Sequence, residues 1–330
     1  MIGSHIIPKF YLEQFAKGRT KKKPGRLWVY EKGKDPDERS TSVQGFENGY
    51  FGYVLPDGSL EESFETELAK LESECDEVLV CAKFETFHWP HGSREKLARY
   101  AALLFSRSTQ ARSFNLKQRS IVLAEILDAA RDDQLVAEIT KGLSRATGQP
   151  MPEDLTRSSI REYVDSQTPA SPKNGFLSGL LEKSETIATL LLQKESWRVI
   201  RTAGDAEFVT TDNPLITFLP LGSGMLHPGY GFRRQEIVAV FPLAPGACLA
   251  MGNAWPVSRT LDARTLSHLN EALIATSDRY VYSKTRSVEV QEAVQKYGGN
   301  VKYGENAFIA GGKIPTARQA LRMNFGLSPD

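Results

Sequence analysis

The hydrophobic patterning of this chain predicts an α+β fold. It is mainly helical through its N-terminal two-thirds, with N-terminal strands joining a mostly antiparallel C-terminal sheet. Three observations carry that prediction. Between about residues 61 and 195, apolar residues recur at steps of three and four. After Trp197 the chain breaks into short apolar runs separated by turn residues. Two strand-like runs, 27–30 and 46–54, stand ahead of the helices. No internal repeat is visible. The chain reads as a single interwoven domain over 1–330, with a helical part at about 61–195 and a mixed sheet part at about 1–60 and 196–330. Residues 167–175 read as a loop insertion.

Each element has its own justification. Residues 8–17 read as a short helix, because Pro8 suits a first helical position and Gly18 suits its end. A basic loop follows over 17–26, then the strand 27–30 with a turn-rich exit at 31–36. The aromatic stretch 46–54 is expected to pair with that strand. Phe64, Leu68, Leu71, Cys75 and Val78 step by four, three, four and three, which marks an amphipathic helix. Ser93 is read as the cap of the next helix, whose apolar stripe is Leu97, Tyr100, Ala101 and Leu104. Helical patterns then cover about 117–146, 157–166 and 176–195. Strands are expected at 197–200, 207–210, 215–219, 237–241 and 280–282, and helices at about 261–276 and 287–297.

Composition sets outer limits. At 330 residues, 41% hydrophobic and 25% charged, the chain is ordinary for a globular protein. Its 41 basic residues against 40 acidic ones argue against a dedicated non-specific nucleic-acid binder, which needs a broad cationic face. Cys75, Cys81 and Cys248 lack metal-ligand spacing and leave an odd thiol, so a reducing compartment is expected. His5, Pro8 and Lys9 interrupt any signal-peptide core. The longest apolar run, 237–252, contains Pro242 and Pro245 and reads as two buried strands rather than a membrane span. A cytoplasmic protein with no membrane partner follows.

The residues that could carry chemistry are polar groups in apolar settings. Arg107 continues the apolar face of the helix after Ser93. A buried guanidinium must meet a carboxylate in the fold or grip a phosphate or carboxylate ligand. Glu65 and Glu72, seven residues apart on one helix edge, can hold a divalent cation, act as acid and base, or pair with Arg107. Asp212 and Asn213, within Thr210-Thr211-Asp212-Asn213-Pro214, either make a tight turn or present a carboxylate and an amide to a ligand. His5 stands three residues before Pro8 and is read as a base, acid or metal ligand, or as a hydrogen-bonded structural residue. Phosphate-binding loops, nucleophile elbows and zinc-protease motifs are absent from the sequence.

Taken together, these positions resemble the domain-of-unknown-function family numbered 4238. The resemblance rests on H-x-x-P-x-x-Y-L-x-x-F (His5, Pro8, Tyr11, Leu12, Phe15), Trp28-Val29-Tyr30, and E-x-x-L-x-x-x-E (Glu65, Leu68, Glu72). It continues through Phe105-Ser106-Arg107, the turn 210–214, Phe241-Pro242-Leu243, Leu269-Asn270 and Arg279-Tyr280-Val281-Tyr282. It spans about residues 3–285, with Thr211 where the family commonly has serine. It implies a soluble, mostly microbial, single-module protein and no established activity.

Two expectations follow. The first is a hydrolase acting on a phosphoester or nucleic acid, in a defence or toxin-like role. Here His5, Arg107, Asp212 and Asn213 are catalytic, and Glu65 and Glu72 hold a divalent cation. Its partner is nucleic acid or a small phosphorylated molecule. The second is a ligand-sensing or protein-interaction module in which the same residues form a buried network.

Overall fold

In a computed structural model, the described residues are 3–48, 50–55, 57–61, 63–82, 91–167, 172–220, 226–252, 258–302, 319 and 322. The fold is α+β, as the patterning predicts. The chain begins with β1 (Gly3–His5) and α1 (Lys9–Leu12), which tightens into a 3-10 turn at Glu13–Phe15. It continues through β2 (Arg26–Glu31), β3 (Asp37–Ser40), β4 (Phe46–Asn48), β5 (Tyr53–Val54) and β6 (Leu60–Glu61). The helices α2 (Ser63–Ala82), α3 (Ser93–Ser106), α4 (Thr109–Ala129), α5 (Asp133–Thr147), α6 (Glu153–Gln167) and α7 (Pro172–Leu192) follow. The last part comprises β7 (Trp197–Thr202), β8 (Thr210–Thr211), β9 (Ile216–Pro220), β10 (Leu226–Pro228), β11 (Val238–Ala244), β12 (Ala247–Met251) and β13 (Thr260–Leu261). It ends with α8 (Ala263–Ala275), β14 (Tyr280–Ser283) and α9 (Val288–Tyr297).

Chain contacts divide the molecule into two compact units. The first takes residues 1–53, 60–112 and 179–311, and the second takes 54–59, 113–178 and 312–330. The first holds a six-stranded sheet in the order β10-β9-β11-β12-β7-β13 and a four-stranded sheet in the order β3-β2-β14-β8. All these pairings are antiparallel except β13 with β7. The four-stranded sheet is where N-terminal strands join C-terminal ones. Val29 of β2 lies opposite Tyr282 of β14, and Val281 lies opposite Thr211 of β8. Strands β11 and β12 are buried along their whole length, so their continuous apolar sequence has no solvent face to alternate with. They pack with α8 residues Leu266, Leu269 and Leu273 in one core.

The second unit has its own smaller core of Ile126, Leu135, Val136, Ile139, Ile160 and Val164. Here the helix expected over 117–146 is two helices. Asp132 ends the run by accepting the N–H groups of Gln134 and Leu135, a side-chain cap that starts α5. The loop expected at 167–175 is shorter, since α6 runs to Gln167 and α7 begins at Pro172; residues 168–171 lie outside the described ones.

Other local expectations shift for identifiable reasons. The stretch 46–54 does not pair with β2. Its first part, β4, pairs with β1, so that His5 lies opposite Phe46. The place beside β2 is taken by β3, whose polar sequence Asp37-Glu38-Arg39-Ser40 carries no apolar signal. Within 207–210 only Thr210 enters a strand. Gly92, at φ 76°, occupies the cap position ahead of α3, and Ser93 is its first helical residue. Pro8 likewise sits one place ahead of α1, in extended backbone with ψ 135°.

Candidate functional site

Two buried charges organise the first unit. The first is Asp212, which follows β8. Its Oδ1 accepts the backbone N–H of Asp278 at 2.8 Å. Its Oδ2 accepts the N–H groups of Arg279 and Tyr280 at 2.7 and 2.8 Å. One carboxylate therefore gathers three consecutive N–H groups that lead into β14. Burial pushes the Asp212 carboxyl up to about 7, the nearby Asp278 adds to the rise, and the three N–H bonds oppose it. Burial also raises Asp278, which accepts the backbone N–H of Gln110 at 2.9 Å. Asn213 is fully buried. Its N–H donates to Thr211 Oγ1 at 3.1 Å, and its side-chain amide approaches the Thr276 carbonyl at 3.5 Å.

The second buried charge is Arg107, the residue that closes α3. Its Nη1 meets Glu72 Oε1 at 2.6 Å, and its guanidinium carbon lies 5.7 Å from the centre of the Phe51 ring. The arginine side chain is 1% exposed and the glutamate side chain 21%. Arg107 Nε and Nη2 are buried without a hydrogen-bond partner, as is the Tyr100 hydroxyl two turns earlier on α3. The backbone carbonyl of Arg107 accepts the Tyr50 hydroxyl at 3.1 Å. The Tyr50 ring in turn carries the Arg112 guanidinium at 4.6 Å.

The remaining sequence-predicted residues stand elsewhere. His5 is half-buried; its Nδ1 lies 3.3 Å from the Gln44 carbonyl, and its ring meets Phe46 edge to face at 5.5 Å. Gly45, at φ 64°, makes this junction possible, because a Cβ there would come within 3.2 Å of Ile7. Glu65 is half-buried two turns before Glu72 on α2. Five of the six stand in three places: Glu72 pairs with Arg107, Asp212 and Asn213 follow β8, and His5 ends β1. Among the described residues no cluster of three or more His, Cys, Asp or Glu is placed to hold a metal ion.

Two residues outside these six act as connectors. Tyr11 is fully buried. Its hydroxyl donates to the Pro242 carbonyl at 2.8 Å and shares a hydrogen bond of 2.8 Å with Thr210 Oγ1. Its ring stacks on Phe241 at 5.3 Å. Asn270 donates to the Glu207 carbonyl at 2.9 Å and accepts the Val209 N–H at 3.1 Å, fixing the approach to β8. Their signal was the motif blocks themselves, in which a Tyr and an Asn stand among apolar neighbours. The blocks H-x-x-P-x-x-Y-L, T-T-D-N-P, F-P-L, L-N and R-Y-V-Y thus meet in space through Tyr11, Asp212 and Asn270.

A cleft of about 750 Å³ opens beside α8 and α9, and none of the six residues lines it. No helix among the described residues is long and apolar enough to cross a membrane.

Residues 4–287 match the family described as "Protein of unknown function (DUF4238)", and the chain belongs to that family. No curated protein and no solved structure matches it.

Proposed function

We propose that this chain is a non-catalytic ligand-binding or protein-interaction module whose family-defining polar residues hold the fold together. The observation that carries this reading is the use of Asp212 on main chain. Its two oxygens accept three backbone N–H groups, which ties the carboxyl to the segment leading into β14 and leaves it little capacity to hold a water or a cation. Arg107 supports the same reading. A guanidinium that grips substrate phosphate must face the substrate, and this one is sealed and paired with Glu72.

The phosphoester-hydrolase alternative requires His5, Arg107 and Asp212 to open onto one cleft. The cleft beside α8 and α9 includes none of them. The test is a hydrolysis assay of the full chain on bis(p-nitrophenyl) phosphate and on single-stranded and duplex DNA and RNA, with Mg²⁺ or Mn²⁺. No turnover is expected. Turnover that disappears in His5→Ala while the melting temperature holds would overturn the proposal in favour of the hydrolase.

A further inference from the structure

We infer that Arg107 and Tyr100 hold a small oxyanion, a carboxylate or a phosphate, within the first unit. The inference rests on the non-catalytic reading above and names a ligand for it. The seal that keeps a passing substrate from Arg107 suits a small ion that stays.

Three buried donors carry the inference. Among the described residues, Arg107 Nε, Arg107 Nη2 and the Tyr100 hydroxyl have no hydrogen-bond partner. Arg107 is 0% exposed and Tyr100 1%. Folded proteins seldom leave even one such donor unmet, and a bound ion is one way of meeting it. The two nitrogens are also a chemically matched pair. Nε and Nη2 share one edge of the planar guanidinium and point their N–H groups in parallel, the fork that grips two oxygens of one carboxylate or phosphate. Glu72 bonds the other terminal nitrogen, Nη1, at 2.6 Å and leaves that edge alone.

Tyr100 supplies the third donor from the same helix. Burial holds its phenol well above the ordinary pKa, Glu72 adds to the rise and Arg107 opposes it, so both charges reach a hydroxyl that stays protonated. Its ring is fixed between Phe10 at 5.5 Å and Phe241 at 6.0 Å. An oxyanion brings acceptors alone to these three donors, whereas a water brings O–H groups that need acceptors of their own. Glu72 offsets the guanidinium charge, but its side chain is 21% exposed and screened by solvent. The fork is shut away from water, where a charge-assisted bond is stronger.

The test is isothermal titration of the full chain, dialysed against chloride, with sodium formate and with inorganic phosphate. Ion chromatography after heat denaturation covers an anion that co-purifies. One anion per chain is expected, and the two probes separate a planar ligand from a tetrahedral one. Arg107→Lys keeps the charge but loses the fork, and should abolish binding. Tyr100→Phe keeps the ring and should weaken binding about tenfold, which decides the matter if the lysine variant fails to fold. Lys22→Glu, in the exposed basic loop that is the rival anion site, should leave binding unchanged. Four results would each overturn the inference: no heat with either anion and none released, wild-type affinity in a folded Arg107→Lys, wild-type affinity in Tyr100→Phe, or binding lost in Lys22→Glu. Neither probe has an ester to cleave, so turnover in the hydrolysis assay would sink the non-catalytic reading separately.

Discussion

Asp212 and Arg107 are both buried charges in the same unit, yet the fold satisfies them in different ways. Asp212 is held by main chain, with three N–H groups from consecutive residues at fixed geometry. Arg107 is held by one flexible side chain, Glu72, which keeps partial contact with solvent and leaves two guanidinium nitrogens unpartnered. A carboxylate saturated by backbone serves as a joint: it fixes where β14 starts relative to β8. A guanidinium with a single partner serves as a clasp between α2 and α3, and Glu72 can turn outward when that clasp opens. Removing the two should therefore have unequal consequences.

Asp212→Ala is expected to produce the largest effect. It strands three part-buried N–H groups at the entry to β14 and should cost about 3 kcal/mol, read by urea denaturation. A loss near that of an ordinary surface change would break the comparison. Arg107→Met should cost about 2 kcal/mol, because Glu72 can recover water once its partner is gone. Adding Glu72→Leu should restore part of that loss, and a double mutant no better than the single would show that the pair is not the source. Tyr11→Phe should cost about 1 kcal/mol through its bonds to Thr210 and Pro242, with the ring packing on Phe241 retained.

The last prediction concerns pH and sharpens the Asp212 side. Its folded pKa of about 7 lies above the value of about 3.9 for an unfolded Asp. Between those values the native chain holds a proton that the unfolded chain has released. The stability contributed by this group therefore rises as pH falls through 7, is fully present below about 4, and is lost as pH rises through 7. Asp278→Asn removes the neighbouring charge and should flatten the dependence of melting temperature on pH between 5.5 and 8, by a few degrees at most. Equal slopes in wild type and variant would rule out Asp278 as a cause.

Much of this architecture was legible in the sequence. The helices from 63 to 192 announce themselves through apolar residues at helical steps, although α3 is buried all round from Tyr100 to Ser106, and β11 and β12 do so because both their faces are buried. Strand β3 was hidden by its polar sequence, and the partner of 46–54 was hidden because register depends on contacts far away in the chain. Of the six polar residues, Arg107, Asp212 and Asn213 are buried, in keeping with their apolar neighbours in the sequence, and His5, Glu65 and Glu72 are half-buried. What they touch was another matter. Glu72 could be foreseen as the partner of Arg107 because helix periodicity places both on facing stripes. The use of Asp212 on backbone N–H groups could not, because main-chain donors carry no residue identity. Tyr11 was equally hidden: a tyrosine in an aromatic cluster reads as core until its hydroxyl is seen bonded across 199 and 231 residues.

One consequence lies in the order in which the chain is made. Strand β2 finds β3 at once, but its other edge waits for β14, about 250 residues later. At translation rates of about 5–20 residues per second, that edge stays unpaired for roughly 10–50 s on the ribosome. The exposed ladder of Leu27, Trp28, Val29 and Tyr30 is an adhesive strand during that time. The lysines and arginines that crowd the loop just ahead of it, from Lys17 to Arg26, give the nascent chain a repulsive guard until its C-terminal partner emerges.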